Sequence, residues 1–334
     1  MNMSRQQTNA LVNHVFHLFI KVLRSTGGGG GRSSLSCKTR VNMASAWNIR
    51  CGIAYYSRFL IEELSKITVL RLVPLPDQKT SNTMKLFVLG FNAGRNCDVT
   101  HVQFEYGNFA PLMLGRFKFH SFGVIPFYIG LSLGKTRKAT TFHELGLGGG
   151  RYGSNYMRLL NRFIVSSSDL VIVHTRAARD LLIKNCSVNE AKIKVFPHGS
   201  LQNPVFMEKE ECKTELNLKG KQLLTVLGFI NWTKGQDLVV EALPLMKTKP
   251  HLLVAGGTRI SEDEGYHRRL VGRVKDLGLE DTVSFLGFVK DDFLPVVMNA
   301  TDVAVLPKRA FYGQSGVLNI LIAYRVPTLA SDIE

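Results

Sequence analysis

Acidic residues are missing where basic ones are not: residues 1–61 hold eight lysines or arginines and no aspartate or glutamate. The 334-residue chain has 42 Lys and Arg against 26 Asp and Glu, a net charge of +16, so half of the excess lies in this one terminal stretch. Cysteine is also rare. The five present (Cys37, Cys51, Cys97, Cys186, Cys212) form no CxxC pair and stand at no metal-ligand spacing from a histidine. Neither a zinc site nor a disulfide framework is indicated, and reduced thiols in a cytosol-like compartment are the default expectation. Nor is there an apolar run of the ~20 residues that a membrane-spanning helix needs. Ala10 to Leu23 is interrupted by Asn13, His14, His17 and Lys21, and Phe122 to Leu133 is short and contains Pro126. No Ser/His/Asp or Cys/His constellation has supporting context, and the basic residues lack the clustered aromatics of a nucleic-acid surface.

What is present is a packed-protein composition, 45% hydrophobic, in a chain long enough for two domains. Residues 1–40, with five glycines from Gly27 to Gly31, read as a basic, disordered N-terminal extension. Their acid-free, Ser-containing character also fits an organelle-targeting peptide or a surface-binding amphipathic helix. From Val41 onward strand-like runs alternate with helical periodicity, the pattern of parallel α/β sheets. In the first half, strands are expected at Val99–Gln103, Ala139–Phe142, Leu170–Val173 and Ile193–Phe196, with helices at 55–66, 155–167 and 176–185. Pro197-His198-Gly199 stops the last strand, and the polar segment 208–221 reads as a linker or a short surface helix. A second series restarts at Leu223–Leu227, with strands at 252–255, 283–285, 303–306 and 328–330 and helices at 236–247, 262–277, 290–299 and 315–324. The expected domains are therefore 41–207 and 222–334. Because the chain ends directly after a strand, the second domain is expected to be incomplete.

Two turns carry most of the functional information. Gly228-Phe229-Ile230-Asn231-Trp232-Thr233-Lys234-Gly235 and Gln314-Ser315-Gly316-Val317 each stand where a strand hands over to a helix. There the free N–H groups of the first helical turn and the positive end of the helix dipole favour an anion, and Lys234 adds a full charge. Lys234 is expected to begin its helix, against the dipole, which asks for an anion between them; a solvated surface lysine is the plainer alternative. Ser315 is a candidate N-cap whose hydroxyl also suits a phosphate oxygen, and Gly316 permits close approach. Two such turns in one doubly wound unit suggest a bound diphosphate.

In the first half, His143-Glu144 follows a strand at its carboxyl end, where doubly wound sheets bind ligands. A histidine there can donate to or accept from a sugar hydroxyl near neutral pH. His101, inside a strand, reads instead as a hydrogen-bonded core residue. Gly148–Gly153 matches GxGxxG, but it does not open the first βαβ unit, so a lid loop is preferred to a dinucleotide site. Cys51-Gly52-Ile53 stands between the first strand and the first helix, where Gly52 would let the backbone approach a ligand.

Taken together, Arg50–Ala54, Thr141–Leu145, Val195–Gly199, Gly228 with Lys234-Gly235, Val254–Gly257, Val283–Gly287 and Gln314–Val317 through Val326-Pro327 resemble the retaining family 4 glycosyltransferases of GT-B fold, over roughly 41–334. The resemblance implies two Rossmann-like doubly wound domains, a UDP- or GDP-sugar donor held by the second, a glycan or lipid-linked acceptor on the first, and a cleft that closes for transfer. It assigns Gly228, Lys234, Gln314, Ser315, Gly316 and Val317 to the donor diphosphate, His143 to the transferred sugar or acceptor, and Cys51, Gly52, Ile53 and Glu144 to the acceptor side. No metal or cofactor is implied, because electrostatic stabilisation of the leaving diphosphate is the core of the reaction. The chain departs from the family pattern at Phe229, where an Arg is usual, and at Tyr312 and Ile320, which align with a pair of Glu residues; in this it is similar to a Gln-Ser-Gly-Val subgroup. These departures, with the early end, also fit a truncated or non-catalytic GT-B-like binding protein. Arg116, Lys118, Lys135, Arg137 and Lys138 flank the apolar stretch Phe119 to Leu133. That suggests either peripheral contact of a cytoplasmic enzyme with anionic lipid or a buried helix with solvated flanks.

Overall fold

The computed structural model describes residues 38–49, 51–76, 82–109, 112–114, 117–119, 122–145, 154–186, 188–201, 203–259, 261–309 and 314–332. Outside them lie residues 1–37 of the expected extension, Arg50, Arg116, Gly148–Gly153 and Tyr312. Arg40, counted with the extension by the sequence reading, is already the first residue of a strand. The chain parts between Pro197 and His198 into two compact α/β units.

The first unit runs β1 (Arg40–Ser45), α1 (Gly52–Ile67), β2 (Val69–Pro74), α2 (Thr83–Ala93), β3 (Val99–Phe104), β4 (Leu112–Leu114), β5 (Phe117–Phe119), α3 (Val124–Ser132), β6 (Arg137–Phe142), α4 (Ser154–Ser167), β7 (Leu170–Val173), α5 (Arg176–Cys186) and β8 (Ile193–Val195). Six strands form a parallel sheet in the order β2-β1-β3-β6-β7-β8, while β4 and β5 make a small antiparallel ribbon. Strand order reverses at β1, so the gap between the carboxyl ends of β1 and β3 is this sheet's topological switch point. Parallel strands covered by helices on both faces must be apolar throughout, and β3 and β7 are buried along their whole length. One face packs Val102, Phe104, Phe142 and Val171 against Leu86, Phe127, Leu160 and Leu182 of α2 to α5. The other face carries a smaller cluster of Val41, Val99, Ala139, Leu170 and Ile172.

The apolar stretch Phe119 to Leu133 is spent largely on this core. Val124, Phe127, Tyr128 and Leu131 of α3 are buried, leaving Ile129 and, just past the helix, Leu133 as the exposed large apolar side chains among the described residues of this stretch. The helix crosses α2 at glycine contacts: a Cβ on Gly90 would stand 1.9 Å from the Phe127 carbonyl oxygen, and one on Gly130 2.1 Å from that of Phe87.

The second unit contains α6 (Lys209–Glu215), β9 (Leu223–Leu227), α7 (Gln236–Ala242), β10 (His251–Ala255), α8 (Ser261–Asp276), β11 (Val283–Gly287), α9 (Leu294–Ala300), β12 (Val303–Leu306), α10 (Gly316–Ala323) and β13 (Thr328–Ala330). Its parallel sheet has the order β11-β10-β9-β12-β13, which places the switch point between β9 and β12. Leu253, Ala255, Ala304 and Leu306 face one core with α9 and α10, and Val226, Leu252 and Val254 face another with α7 and α8.

Of the two readings of 208–221, a linker or a short helix, the structure has the helix, and it packs as part of this unit. Lys209 and Lys213 of α6 reach Asp302 at 2.8 and 2.9 Å, and Asp302 accepts from the Leu223 backbone at 2.8 Å. Ser200 donates to the Asn319 carbonyl at 2.9 Å, so the second unit starts at His198, before the expected boundary at 207.

Candidate functional site

Two groups of side chains gather at carboxyl ends of strands, one in each unit. In the second unit β9 runs into Gly228, whose φ of 121° lies in a region that favours glycine. Its N–H donates to the Ala255 carbonyl at 2.9 Å. Asn231 then caps a 3-10 turn over Trp232–Lys234 by accepting from the Lys234 N–H, and Gly235 turns left-handed at φ 70°. A side chain at Gly235 would place its Cβ 1.9 Å from the Pro307 carbonyl oxygen, and the Arg309 N–H donates to the Thr233 carbonyl at 3.0 Å. The turn is thereby laid across the end of β12. Lys234 accordingly ends a 3-10 turn instead of beginning a helix, because the left-handed Gly235 separates it from α7, which starts at Gln236.

On the other side of the switch point Ser315 is the N-cap of α10, its Oγ accepting from the Leu318 N–H at 3.3 Å. The same oxygen accepts from the Lys308 ammonium at 2.9 Å. Both lone pairs of the hydroxyl are engaged, so its own hydrogen serves as a donor. Lys308, which follows the end of β12, is 8% exposed. A buried cation at the positive end of a helix opposes both desolvation and the dipole, and an anion in the same place relieves both. Gly228 comes up against this second turn, since a Cβ there would lie 3.5 Å from Val317 Cγ2. Gly228, Ser315, Gly316 and Val317 are thus brought to one switch point, with Lys234 on the adjoining turn. Gln314, one residue earlier, groups with the first unit.

The neighbouring charge is already balanced. Arg309 makes two bonds to the Asp237 carboxylate, at 2.8 and 2.6 Å, and lies 4.9 Å over the exposed Trp232 ring, while the Tyr266 hydroxyl donates to Asp237 at 2.6 Å. Burial alone would raise the Asp237 pKa, but these bonds outweigh it and hold the carboxyl below its ordinary range. Of the positions where the sequence resemblance leads one to expect charged groups, Phe229 accepts from the Gln236 amide through its carbonyl at 2.9 Å and Ile320 packs against the core.

In the first unit the face of the sheet that is apolar at its base turns polar toward the carboxyl ends. His101 and Gln103 of β3, Thr141 of β6, His143 just beyond it and His174 just beyond β7 share this face through the parallel register. His143 Nε2 lies 2.9 Å from Gln103 Oε1, and Tyr56 and His174 meet its ring at centroid distances of 4.9 and 5.2 Å. His174 donates through Nδ1 to the Phe196 carbonyl at 2.9 Å. His101 is a buried, hydrogen-bonded residue as expected, 2.8 Å from Thr141 Oγ1. Burial, and then the charge of His174, lower its pKa to about 4. Cys51 caps α1 through its thiol, which accepts from the Ala54 N–H at 3.3 Å, so the Cys51-Gly52-Ile53 segment forms the mouth of a sixteen-residue helix. A Cβ on Gly52 would meet nothing within 4 Å, so the protein's own packing does not require a glycine there. Glu144 is half-buried at the end of β6.

Lys308, Gln103, Tyr56 and His174 escaped the sequence reading. A signal existed for two of them: Lys308 follows a strand ending in Leu306-Pro307, as His174 follows one ending in Val173, the same placement that marked His143. Among the described residues no group of three or more His, Cys, Asp or Glu is placed to hold a metal ion.

Residues 220–334 match the family model for glycosyl transferases group 1. The chain is 31% identical over 155 residues to mannosylfructose-phosphate synthase of Agrobacterium fabrum, covering 44% of this chain and 34% of that protein. It is 28% identical over 147 residues to D-inositol 3-phosphate glycosyltransferase of Mycobacteroides abscessus, covering 43% and 32%. The chain therefore spans about a third of the length of these curated relatives. Among solved structures, Anabaena HepE in complex with UDP and glucose superposes with a TM-score of 0.68 at 15% identity, covering 88% of this chain and 81% of that one. Sucrose-phosphate synthase of Thermosynechococcus elongatus does so with 0.69 at 16%, covering 89% and 82%. With its two parallel-sheet α/β units, the protein has the Rossmann-like GT-B fold.

Proposed function

We propose that this protein acts as a glycosyltransferase that moves a hexosyl-type sugar from a UDP- or GDP-sugar to a hydroxyl on a glycan or lipid-linked acceptor with retention of configuration. The observation that carries the reading is the pair of turns at the β9/β12 switch point, inside the segment that matches the group 1 family. Gly228, Gly316 and Val317 offer backbone, Ser315 a hydroxyl donor, and Lys234 and Lys308 positive charge to the leaving diphosphate. Gln314 is assigned to the same site. Fixed donors and cations aimed at developing negative charge lower the barrier without reorganising during the reaction. His143 meets the transferred sugar or the acceptor, and Cys51, Gly52, Ile53 and Glu144 form the acceptor side. The residue roles follow from the resemblance to family 4, and the complex of the HepE neighbour with UDP and glucose supports a nucleotide-sugar donor.

UDP and GDP are the probes. A ligand bound only by the native state adds RT ln(1 + [L]/Kd), about 2.7 kcal/mol at a hundredfold excess over Kd. One of the two is expected to raise Tm, and Lys234→Ala to abolish most of the rise through loss of a charged contact. No shift with either nucleotide at millimolar concentration overturns the proposal. Retention is read from the anomeric configuration of the product.

Phe229 and Ile320, standing where the family carries Arg and Glu, favour a second reading: a GT-B-like protein that binds nucleotide without transferring sugar. Nucleotide stabilisation with no turnover of any nucleotide sugar selects it. Peripheral contact with an anionic membrane is the weaker element, since most of α3 is buried, and it predicts salt-sensitive flotation with anionic vesicles only. No helix among the described residues is long and apolar enough to cross a membrane; with the thiols expected to be reduced, a cytoplasmic location is part of this proposal.

A further inference from the structure

The polar face of the first sheet contains a buried amide clamped between two imidazoles, and neither the fold nor anion binding calls for it. Gln103 is fully buried; its Oε1 lies 2.9 Å from His143 Nε2 and its Nε2 lies 3.2 Å from His101 Nε2. We infer that Gln103 is a positioning residue for His143, holding its imidazole in the tautomer that carries hydrogen on Nε2. This rests on the reading of His143 as the residue that meets sugar or acceptor.

Donors and acceptors around the amide fix the tautomers. A carboxamide has one end that only accepts and one that only donates. Its oxygen against His143 Nε2 requires an N–H there. Its NH2 against His101 Nε2 requires the one lone pair of that nitrogen, so His101 is neutral with its hydrogen on Nδ1, and the Thr141 hydroxyl, 2.8 Å away, shares that lone pair in a three-centre bond. Thr141 and His101 are 1% and 3% exposed, so water does not compete for these bonds. The low pKa of His101 keeps that ring neutral at physiological pH and preserves its lone pair. Tyr56 and His174, edge-on or tilted against His143 at 4.9 and 5.2 Å, fix the plane of its ring. In the neutral state the basic nitrogen of His143 is then Nδ1, and an accessory bond of this kind decides which face of a histidine does chemistry.

The experiment is a long-range 1H–15N correlation spectrum of the full chain labelled with 15N-histidine, recorded where imidazoles are neutral, with His143 assigned by the signals missing in His143→Asn. Wild type is expected to show His143 with hydrogen on Nε2. In Gln103→Leu, and in Gln103→Met, which keeps the side-chain length if the shorter variant fails to fold, the preference for Nε2–H should drop about tenfold, the scale of one net hydrogen bond. A wild-type His143 carrying its hydrogen on Nδ1, or a tautomer ratio unmoved in the folded Gln103 variant, overturns the inference. UDP stabilisation of the wild type is scored separately: a tautomer that moves as expected in a protein that UDP does not stabilise upholds the positioning geometry and defeats the transferase reading.

Discussion

Lys308 and Lys234 approach the same switch point from different strands, and their surroundings differ. Lys308 is buried with its ammonium on the Ser315 hydroxyl, whereas Lys234 is half-buried on a 3-10 turn. If the site holds a diphosphate, Lys308 supplies the second cation that Phe229 does not. Lys308→Met, which keeps the apolar stem and removes the charge, is expected to weaken UDP binding at least tenfold in a calorimetric titration, the scale of a charged hydrogen bond. Unchanged affinity would remove Lys308 from the site. At His101 the consequence is pH dependence. Its pKa is about 4 in the folded protein and near the ordinary 6.5 in the unfolded chain, so the unfolded state binds the proton first as pH falls. The stability His101 contributes is complete above pH 6.5 and is lost as the pH drops through about 4. The loss approaches about 3 kcal/mol, from ~1.36 kcal/mol per pKa unit. Urea unfolding as a function of pH should show that fall, and His101→Gln should flatten it; equal slopes in both proteins would rule out His101 as its source.

Among the elements, α2 and α3 pack so closely that backbone meets backbone at Gly90 and Gly130. Gly130→Ala forces a Cβ against the Phe87 carbonyl and is expected to cost about 3 kcal/mol, the upper range for overpacking, seen as a lower urea midpoint. An unchanged midpoint would mean that the helices separate at little cost. This contact was not legible in the sequence: α2, Thr83–Ala93, was not recognised at all, and neither was β2, Val69–Pro74, whose side chains are mostly exposed or half-exposed and lack the continuous apolar run of β3. Elsewhere helix limits moved where proline intervenes. The expected helix 236–247 gives way at Leu243-Pro244 to a 3-10 turn, and the one expected from 290 starts at Leu294 with Pro295 in its first turn, where a missing N–H costs nothing.

For the whole molecule, each unit closes its own sheet over its own cores, so a nucleotide held at the β9/β12 switch point should protect a confined set of amides. In hydrogen exchange, UDP is expected to slow residues 228–236 and 314–320, with little change at the outer strand β11. Slowing spread evenly over the second unit would point to a site elsewhere.

The sequence by itself determined the class of fold, because parallel strands buried on two faces must be written as apolar runs and their crossover helices as a 3.6-residue period. It also located the two glycine-bearing turns and His143, since a strand that ends in such residues exposes their backbone or side chain at the ligand-binding edge. It did not determine that α6 is tied to Asp302, that Lys234 precedes its helix, that Lys308 bonds to Ser315, or that Gln103 joins two histidines. Each of these depends on residues brought together by strand order and register: Asp302 against α6, Pro307 against Gly235, β3 beside β6. Contacts between elements distant in the chain leave no local period, so only the tertiary structure decided them.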